Sequence, residues 1–341
     1  GGGGGWGGGG GDGTLPFPVY TVQGRSWGMD CLEAVGRNFF RGQRGVVFTI
    51  WDLSRLGWLP EQADRLGLNL WGYHPIDGEG PRGTLLPAHT ETARKYKRIA
   101  AYTNFAARLL KRSEAVANER CPIRVLSHGV EPAVFYDRRP ERSGCIPLLR
   151  EDEVLVGCVA TNQRRKDYGA LFESWAILRD RAERPWRFWV HTDRMANPDG
   201  WELFGLAVAF GLRPGVDLHF TIGLPDEELA GLYSMCEVVV DPAAEGWGFP
   251  QAESVMCGTS SIGVRYAAGT EVAWETVAPV ALRWEDCVLR PVLDSVQLAD
   301  AVQKMVSKPP AREALRIWAL EKFSWDRVWP EWVKWFEEGL G

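Results

Sequence analysis

Apolar and polar positions along this chain alternate between short strand-like runs and helical stripes. Short apolar runs that end in loops predict β-strands, whereas apolar residues three and four positions apart predict helices. The predicted strands are 19–22, 46–51, 68–73, 98–102, 123–126, 154–160, 186–191, 218–222, 238–240 and 260–264. The predicted helices are 29–40, 105–112, 168–178, 201–210, 227–235 capped by Asp226, and one that opens at Pro250 and closes at Gly258. This alternation predicts parallel sheets in a right-handed, doubly wound α/β arrangement.

Two segments interrupt the pattern. Residues 1–13 are almost all glycine, a composition that forms no packed element, so this leader is left out of the fold. Residues 138–144 are polar, and a domain boundary is expected just before them. After the last strand, Trp325, Val328, Trp332 and Phe336 form one apolar face of a helix, with a kink expected at Pro330.

Composition narrows the function classes. The 341 residues suffice for two domains, and a net charge of −5 gives no electrostatic footprint for nucleic acid. Seven cysteines without a C-x-x-C pair argue against a zinc ribbon or a disulfide framework, and fit a reducing, cytoplasmic compartment. No apolar run approaches the ~18 residues of a membrane span. Peripheral contact with a membrane stays open. The 17 tryptophans are expected mainly in the core.

The most informative stretch runs from Asp241 to Gly258. A buried strand is followed by a loop with two glycines and then by a helix, whose first backbone N–H groups and dipole favour an anion. Glu245 in the loop and Glu253 in the helix lie eight positions apart. Taken singly, each is compatible with an ordinary surface acid, but the whole string points to a ligand with several hydroxyl groups.

A second stretch adds positive charge. The strand 154–160 ends in a loop that contains Arg164, Arg165 and Lys166. Three cations at the carboxyl end of a strand, close to a helix start, suit a diphosphate. A solvated basic loop is the alternative interpretation.

Together these segments resemble glycosyltransferase family 4, whose signature of two glutamates matches Glu245-x7-Glu253. The resemblance implies the α/β GT-B architecture, in which two Rossmann-like doubly wound parallel-sheet domains face a cleft and a C-terminal helix crosses back to the first domain. It implies that a sugar moves from a UDP-, GDP- or ADP-sugar to an acceptor with retention of anomeric configuration, without a metal or another cofactor. The acceptor is open: a glycan, a lipid or a small molecule.

The resemblance also assigns roles to residues of the second domain. Glu253 is expected on the donor ribose and Glu245 near the reacting carbon as a catalytic residue. Lys166 matches the diphosphate lysine, but Thr161 stands where the family has an arginine, which leaves Arg164 or Arg165 as its replacement. The remaining expected donor-binding residues are Gly246, Trp247, Gly248, Phe249, Gly223, Leu224 and His191.

The first domain matches less well. Asp52 follows a strand where the family often has a His or Asp that faces the cleft, and it is a second catalytic candidate. His74 and Asp77, at another strand end, are acceptor-side candidates. His128 lies in a segment that resembles the family hinge, where a hydrogen-bonding role is expected rather than catalysis. The family's first strand, acceptor loop and helix are not recognisable, so about 50–60 residues are expected to be missing.

These expectations divide the chain into a leader (1–15), an incomplete acceptor-side domain (16–133), a nucleotide-sugar domain (134–310) and a C-terminal helical segment that packs back on the first domain (311–341). Two other functions stay open: a nucleotide-sugar-binding protein without transferase activity, and a different chemistry on the same fold, such as an epimerase or a phosphorylase.

Overall fold

The computed structural model describes residues 28–40, 43–114, 123–139, 150, 152–181 and 184–341. The first domain is built on a four-stranded parallel sheet in the order β1-β2-β3-β4. Its strands are β1 (Gly45–Ile50), β2 (Leu68–His74), β3 (Arg98–Ala101) and β4 (Arg124–Val125). Its helices are α1 (Met29–Val35, continued by a π-helix over Gly36–Phe40), α2 (Leu59–Arg65), α3 (Pro87–Ala93) and α4 (Asn104–Arg112).

The second domain is built on a six-stranded parallel sheet in the order β10-β9-β8-β5-β6-β7. Its strands are β5 (Val154–Val159), β6 (Trp186–Thr192), β7 (Leu218–Ile222), β8 (Val238–Val240), β9 (Ser260–Val264) and β10 (Glu275–Val277). Its helices are α5 (Tyr168–Arg181), α6 (Leu203–Ala209), α7 (Asp226–Met235), α8 (Phe249–Met256) and α9 (Gly269–Val272). Because β6 and β7 lie on one side of β5 and β8 lies on the other, the strand order reverses between β5 and β8. A doubly wound sheet binds ligands at the carboxyl ends of strands at such a point.

A hairpin and three helices complete the chain. The antiparallel strands β11 (Ala281–Glu285) and β12 (Val288–Val292) form the hairpin, and α10 (Ser295–Ser307), α11 (Arg312–Phe323) and α12 (Trp325–Leu340) follow. Helix α11 packs on the second domain, where Arg316 donates a hydrogen bond to the carbonyl of Met256 at 2.7 Å.

Helix α12 crosses back to the first domain. Its Trp335 is fully buried against Trp71 of β2, with ring centroids 5.4 Å apart, and the Arg98 guanidinium lies 5.3 Å from the Trp71 ring. At the far end of the helix, Glu338 pairs with Arg124 at 2.8 Å. Buried aromatic area and edge-to-face ring contacts of this kind stabilise a docked helix. The tryptophan-rich stripe of the sequence is therefore the surface that joins the C-terminus to the first domain.

The predicted fold class is confirmed: two Rossmann-like parallel-sheet domains, with the last helix crossing back. Two details differ from the sequence predictions. Asp226 is the first residue of α7 and not its cap, because Pro225 before it holds the extended backbone of the capping position. Helix α12 runs without a break through Pro330. The predicted strand at 19–22, the leader and residues 140–144 lie outside the described residues. No helix in the described part of the chain is long and apolar enough to cross a membrane.

Candidate functional site

A cavity of about 1030 Å³ lies between the two domains, at the carboxyl ends of β5 and β8. Its second-domain wall comes from the loops after β5, β6, β7 and β8, and its first-domain wall from the loops after β1 and β2. The cavity is large enough for a nucleotide linked to a sugar. The cavity lining contains Asp52, Asp77, Thr161, Arg165, Lys166, His191, Gly223, Glu245, Gly246, Trp247, Gly248, Phe249 and Arg290 among others.

Glu245 lies between two cations of the loop after β5. Its Oε1 contacts the Lys166 ammonium in a short ion pair and lies 3.3 Å from Arg165 Nη1. Burial by itself would raise the pKa of Glu245, but the charges of Arg165 and Lys166 outweigh it and hold this pKa below its usual value. Glu245 is therefore an anion at neutral pH, in contact with the two groups that suit a diphosphate.

Arg165, and not Arg164, faces this cavity. The three cations form a single 3₁₀ turn, in which Arg165 and Lys166 point into the cleft and Arg164 is exposed outside the lining. Arg165 Nη1 also donates to the carbonyl of Ala244 at 2.9 Å, which fixes the guanidinium against the loop that holds Glu245. Thr161 lines the cavity as well.

The loop between β8 and α8 is braced by two buried polar side chains that the sequence pattern did not single out. Asp241 Oδ1 accepts from the backbone N–H of Ala243 at 3.1 Å, and its Oδ2 accepts from Gln251 Nε2 at 3.2 Å. Asp241 directly follows β8 and Gln251 lies in the first turn of α8, so the pair joins both ends of the loop. Burial raises the pKa of Asp241 to about 6. The negative charge of Glu245 also raises this pKa, whereas the positive charge of Lys166 lowers it. Gly248 caps α8 with φ at +94°, a conformation that favours glycine.

Glu253 has a different environment from Glu245. It lies in α8, and its Oε2 accepts a hydrogen bond of 2.9 Å from the hydroxyl of Tyr233 on α7. Burial raises the pKa of Glu253 to about 7. Its side chain is not among those that line the cavity. The pKa values of the two glutamates of the signature are thus shifted in opposite directions, and the two side chains differ in position as well.

His191 and Gly223 line the part of the second-domain wall that lies at the ends of β6 and β7. Thr221 Oγ1 accepts from Trp189 Nε1 at 2.8 Å and lies 2.9 Å from His191 Nδ1. Burial lowers the pKa of His191, which favours the neutral ring. Gly223 lines the cavity with φ at +67°, whereas Leu224 does not line it and packs against the core.

Aromatic side chains form the side of the cavity next to the segment that contains Ser127 and His128. Trp247 is buried and donates from Nε1 to the Ser127 hydroxyl at 3.1 Å. The His128 ring lies 4.4 Å from the Tyr102 ring and 4.9 Å from the Phe249 ring, so it bridges the two domains by packing. Its Nε2 is buried without a hydrogen bond to any described residue, and burial lowers the pKa of His128 to about 4. The hinge histidine is therefore held by ring contacts, which differs from the hydrogen-bonding role expected for it.

Two acids face the cavity from the first domain. Asp52 follows β1, and Asp77 follows β2. Protein surrounds much of the Asp52 carboxyl, and this burial together with the charge of Asp77 raises the pKa of Asp52, while Arg165 acts in the opposite direction.

The structure corrects the placement of His74. Successive residues of a strand point to opposite faces, and here Tyr73 packs beside Tyr102 while His74 turns away from the cleft. His74 is fully buried, with Nδ1 2.7 Å from the carbonyl of Trp51 and its ring against Tyr96. Its pKa is lowered by burial to about 4. His74 is a core residue and does not line the cavity.

Contacts between the domains include several residues that the sequence pattern did not indicate. Glu271 of the second domain binds the start of α4 in the first: its carboxylate accepts from the backbone N–H of Asn104 at 2.9 Å and that of Phe105 at 3.1 Å. Gly246 lies so close to Pro75 that a Cβ at 246 would be 2.8 Å from the proline Cβ. The first- and second-domain walls of the cavity are thus in direct contact.

The hairpin β11–β12 is the other missed element, and its turn residues Asp286 and Cys287 line the cavity. Both have positive φ, of 49° and 67°, as a two-residue hairpin turn requires. Two apolar-rich runs separated by two residues are the sequence signal for such a hairpin. Pro291 within the second run weakens that signal.

Comparisons with known proteins relate this chain to GT-B glycosyltransferases. No family model matches it. Among curated proteins, it is similar to the serotype-specific mannosyltransferase WbdA of Escherichia coli, with 28% identity over 179 residues that cover 51% of this chain. The matched residues span only about a fifth of the length of WbdA, 20% of it.

Solved structures share the fold over most of the chain. Anabaena HepE in complex with UDP and glucose superposes with a TM-score of 0.69 at 12% identity, covering 93% of this chain and 84% of HepE. Sucrose-phosphate synthase of Thermosynechococcus elongatus gives 0.67 at 19%, covering 86% and 73%. A trehalose-6-phosphate synthase studied for glycosyl transfer with retention gives 0.62 at 11%, again covering 86% and 73%.

Proposed function

We propose that this chain is a retaining glycosyltransferase of the family 4 type, which transfers a sugar from a nucleoside-diphosphate sugar to an acceptor. The observation that carries the proposal is the cluster of Arg165, Lys166 and Glu245 at the point where the strand order of the second domain reverses. Cations for a diphosphate and an ionised acid for the sugar lie side by side in a cavity of the right size. The names of the similar proteins, a mannosyltransferase and sugar-phosphate synthases, agree with this activity.

The leaving group is stabilised first. As the bond between the anomeric carbon and the diphosphate oxygen breaks, negative charge grows on the diphosphate, and Arg165 and Lys166 neutralise it in a pre-formed, partly buried site. We propose that this makes a divalent metal unnecessary. His191 and Gly223 are proposed to lie along the nucleotide, and Glu253, whose side chain lies outside the cavity lining, to turn toward the ribose hydroxyls.

The sugar itself passes through an oxocarbenium-like state with positive charge at the anomeric carbon. Glu245 stays ionised because Arg165 and Lys166 hold its pKa low. Its carboxylate therefore stabilises the positive charge at the anomeric carbon. The acceptor oxygen bonds to the same face that the diphosphate leaves, which retains the configuration. Asp52, on the first-domain wall, is proposed to face the acceptor hydroxyl and to take up its proton; the raised pKa of Asp52 makes its carboxylate a better base.

A thermal-shift screen with UDP, GDP, ADP and their sugar conjugates, with and without EDTA, tests the donor site. A ligand at 100 times its dissociation constant is expected to add about 2.7 kcal/mol to the free energy of unfolding. One base is expected to stand out, with no effect of EDTA, and Glu253→Ala is expected to lose the shift. Glu227→Ala, an exposed acid on the neighbouring α7, is the matched control that keeps it.

Turnover is then measured as release of the nucleoside diphosphate from the sugar conjugate that binds, with water as acceptor. Proton NMR of the early product reports whether the anomeric configuration is retained. Binding without turnover would support the non-catalytic alternative, and inversion would contradict the family 4 mechanism. A flat response of the folded protein to every nucleotide would contradict the donor site itself.

A further inference from the structure

The hairpin β11–β12 of the second domain reaches over to the first-domain loop after β2. The backbone N–H of Leu289 donates to the carbonyl of Glu79 at 2.8 Å. The Tyr266 hydroxyl accepts from the N–H of Glu79 and donates to the carbonyl of Leu289, both at 3.0 Å. Backbone of the hairpin and backbone of the loop are thus joined directly and through one buried hydroxyl.

Next to this junction, Arg290 holds Asp77. Arg290 Nη1 lies 2.8 Å from Asp77 Oδ1 and donates to the Asp77 carbonyl at 2.9 Å. The Arg290 side chain is 11% exposed and that of Asp77 29%. One guanidinium nitrogen therefore fixes both the main chain and the carboxylate of Asp77, in a partly desolvated position where charge-assisted hydrogen bonds are strong.

The other carboxylate oxygen of Asp77 faces Arg165 in a longer ion pair. Asp77 Oδ2 is 3.6 Å from Arg165 Nη1, longer than a hydrogen bond. The same Nη1 is 2.9 Å from the Ala244 carbonyl and 3.3 Å from Glu245 Oε1. The Asp77 carboxylate thus lies between two guanidiniums, in a close ion pair with Arg290 at 2.8 Å and a longer one with Arg165 at 3.6 Å, and only Arg290 also binds the Asp77 carbonyl.

We propose that Arg290 is a positioning residue that holds the Asp77 carboxylate off Arg165, so that Arg165 stays available to the diphosphate of the donor. The inference rests on the proposed function, because it takes Arg165 as a diphosphate ligand. Without Arg290, Asp77 closes on the neighbouring guanidinium of Arg165 and becomes an internal competitor of the diphosphate. The hairpin of the second domain thereby sets how strongly a first-domain acid opposes donor binding.

A double-mutant cycle tests this with the nucleoside diphosphate that the wild type binds among UDP, GDP and ADP, and with inorganic pyrophosphate as the minimal probe. Titration calorimetry gives the dissociation constants. Arg290→Gln is expected to weaken binding about tenfold, and Asp77→Asn to tighten it about threefold, the range of a charged contact in a partly buried site. The double variant is expected to bind like Asp77→Asn, since Arg290 acts through Asp77. Arg290→Lys, which keeps the charge, is expected to restore part of the affinity.

Controls separate this from a structural effect. Arg283→Gln removes an arginine of the same hairpin that pairs with Glu285 outside the cavity lining, and is expected to leave affinity unchanged. Equal weakening by Arg290→Gln in the wild-type and Asp77→Asn backgrounds would mean that Arg290 acts without Asp77 and would overturn the inference. So would unchanged affinity of Arg290→Gln. A folded wild type that binds neither a nucleoside diphosphate nor pyrophosphate would overturn the proposed function, and this inference with it.

Discussion

The two walls of the cavity are built differently. On the second-domain wall the charged groups are buried and bonded to one another: Lys166 is 5% exposed and Asp241 1% exposed, and Glu245 contacts two cations. On the first-domain wall, Asp52 and Asp77 lie on loops, and both are open to the cavity whose walls surround them. Rigid, pre-organised groups suit a ligand whose chemistry is fixed, and loop-borne groups suit one that varies between related proteins. The difference agrees with a nucleotide-diphosphate donor on one side and an unidentified acceptor on the other.

The first-domain wall also takes part of its geometry from the second domain. Asp77 is held by Arg290, and Glu79 is paired with Leu289. By contrast, the loop with Glu245 is braced inside its own domain, by Asp241 and Gln251. If the proposed acceptor binds this wall, its site would be complete only when the two domains are together, which would link acceptor binding to domain closure.

The largest effect on stability is expected from Glu245→Gln, which removes a buried charge from the second-domain wall. The change leaves the buried Lys166 ammonium without its carboxylate, and breaking a buried ion pair costs about 3 kcal/mol of unfolding free energy. Thermal and urea unfolding measure it. Pyrophosphate is expected to stabilise this variant more than the wild type, because the anion replaces the missing charge.

The matched control is Glu61→Gln, which removes the acid of the exposed Glu61–Arg65 pair on α2 of the first domain. Exposed pairs of this kind contribute little, so no measurable change is expected. Similar losses in both variants would contradict the view that the second-domain wall depends on its buried charges.

The second prediction separates the two neighbouring arginines. Arg165→Gln is expected to weaken nucleoside-diphosphate binding about 30-fold, since it removes a charged contact with phosphate, whereas Arg164→Gln is expected to change it less than about twofold. Titration calorimetry of both variants gives the ratio. Equal losses would mean that the whole basic loop acts as a diffuse positive field and that the orientation of Arg165 has no special role.

How much of this site is predictable depends on what sets each side chain's direction. The order of strands and helices, and the loop between β8 and α8, follow from hydrophobic pattern and turn residues, so the position of Glu245 was predictable. The choice between Arg164 and Arg165 was not, because a single 3₁₀ turn decides which of two adjacent cations faces the cleft. The predicted position of His74 was wrong for a related reason. Most of β2 is buried on both faces, so its sequence does not indicate which face meets the cavity.

The contacts between the domains could not be predicted from the sequence for a different reason. Glu271 and Asn104 are 167 positions apart, and no local pattern in the sequence links them. The hairpin with Arg290 contains a proline and an Asp-Cys turn, which is not one of the favoured turn dipeptides. Local patterns encode elements and their own loops, whereas the relative position of two domains depends on surfaces that only the folded chain brings together.

The third prediction concerns pH and the two signature glutamates. The pKa of Glu253 is about 7 in the folded chain against an ordinary 4.5, so between these values the folded chain holds a proton that the unfolded chain has lost. Its contribution to stability is complete below pH 4.5 and is lost as the pH rises through 7. His74 and His128 act in the opposite sense, since their lowered pKa values make stability rise from about pH 4 to 6.5.

Glu253→Gln isolates the first effect. Between about pH 4.5 and 7.5, the wild type is expected to lose about 3 kcal/mol relative to this variant, measured as the difference in unfolding free energy at each pH. Parallel pH curves would mean that Glu253 titrates normally. Glu245→Gln serves as the comparison variant. Because the pKa of Glu245 is lowered, the difference in unfolding free energy between the wild type and this variant is expected to stay constant over this pH range.

The smallest effect is expected where the first domain depends on the second, at Glu271. Glu271→Gln weakens the hydrogen bonds to the first amides of α4 and removes a negative charge from the helix start, at a cost of about 1 kcal/mol. Glu202→Gln makes the same change at the start of α6, where the acid bonds Gly205 within one domain, and is expected to cost a similar amount.

The response to a ligand distinguishes these two variants. Since Glu271 joins the domains, its loss is expected to lower the stabilisation by a nucleotide sugar in a thermal-shift titration, while Glu202→Gln leaves that stabilisation unchanged. If both variants responded to the ligand alike, the Glu271 contact would be an ordinary helix cap, and the first-domain wall would not depend on it for its closed position.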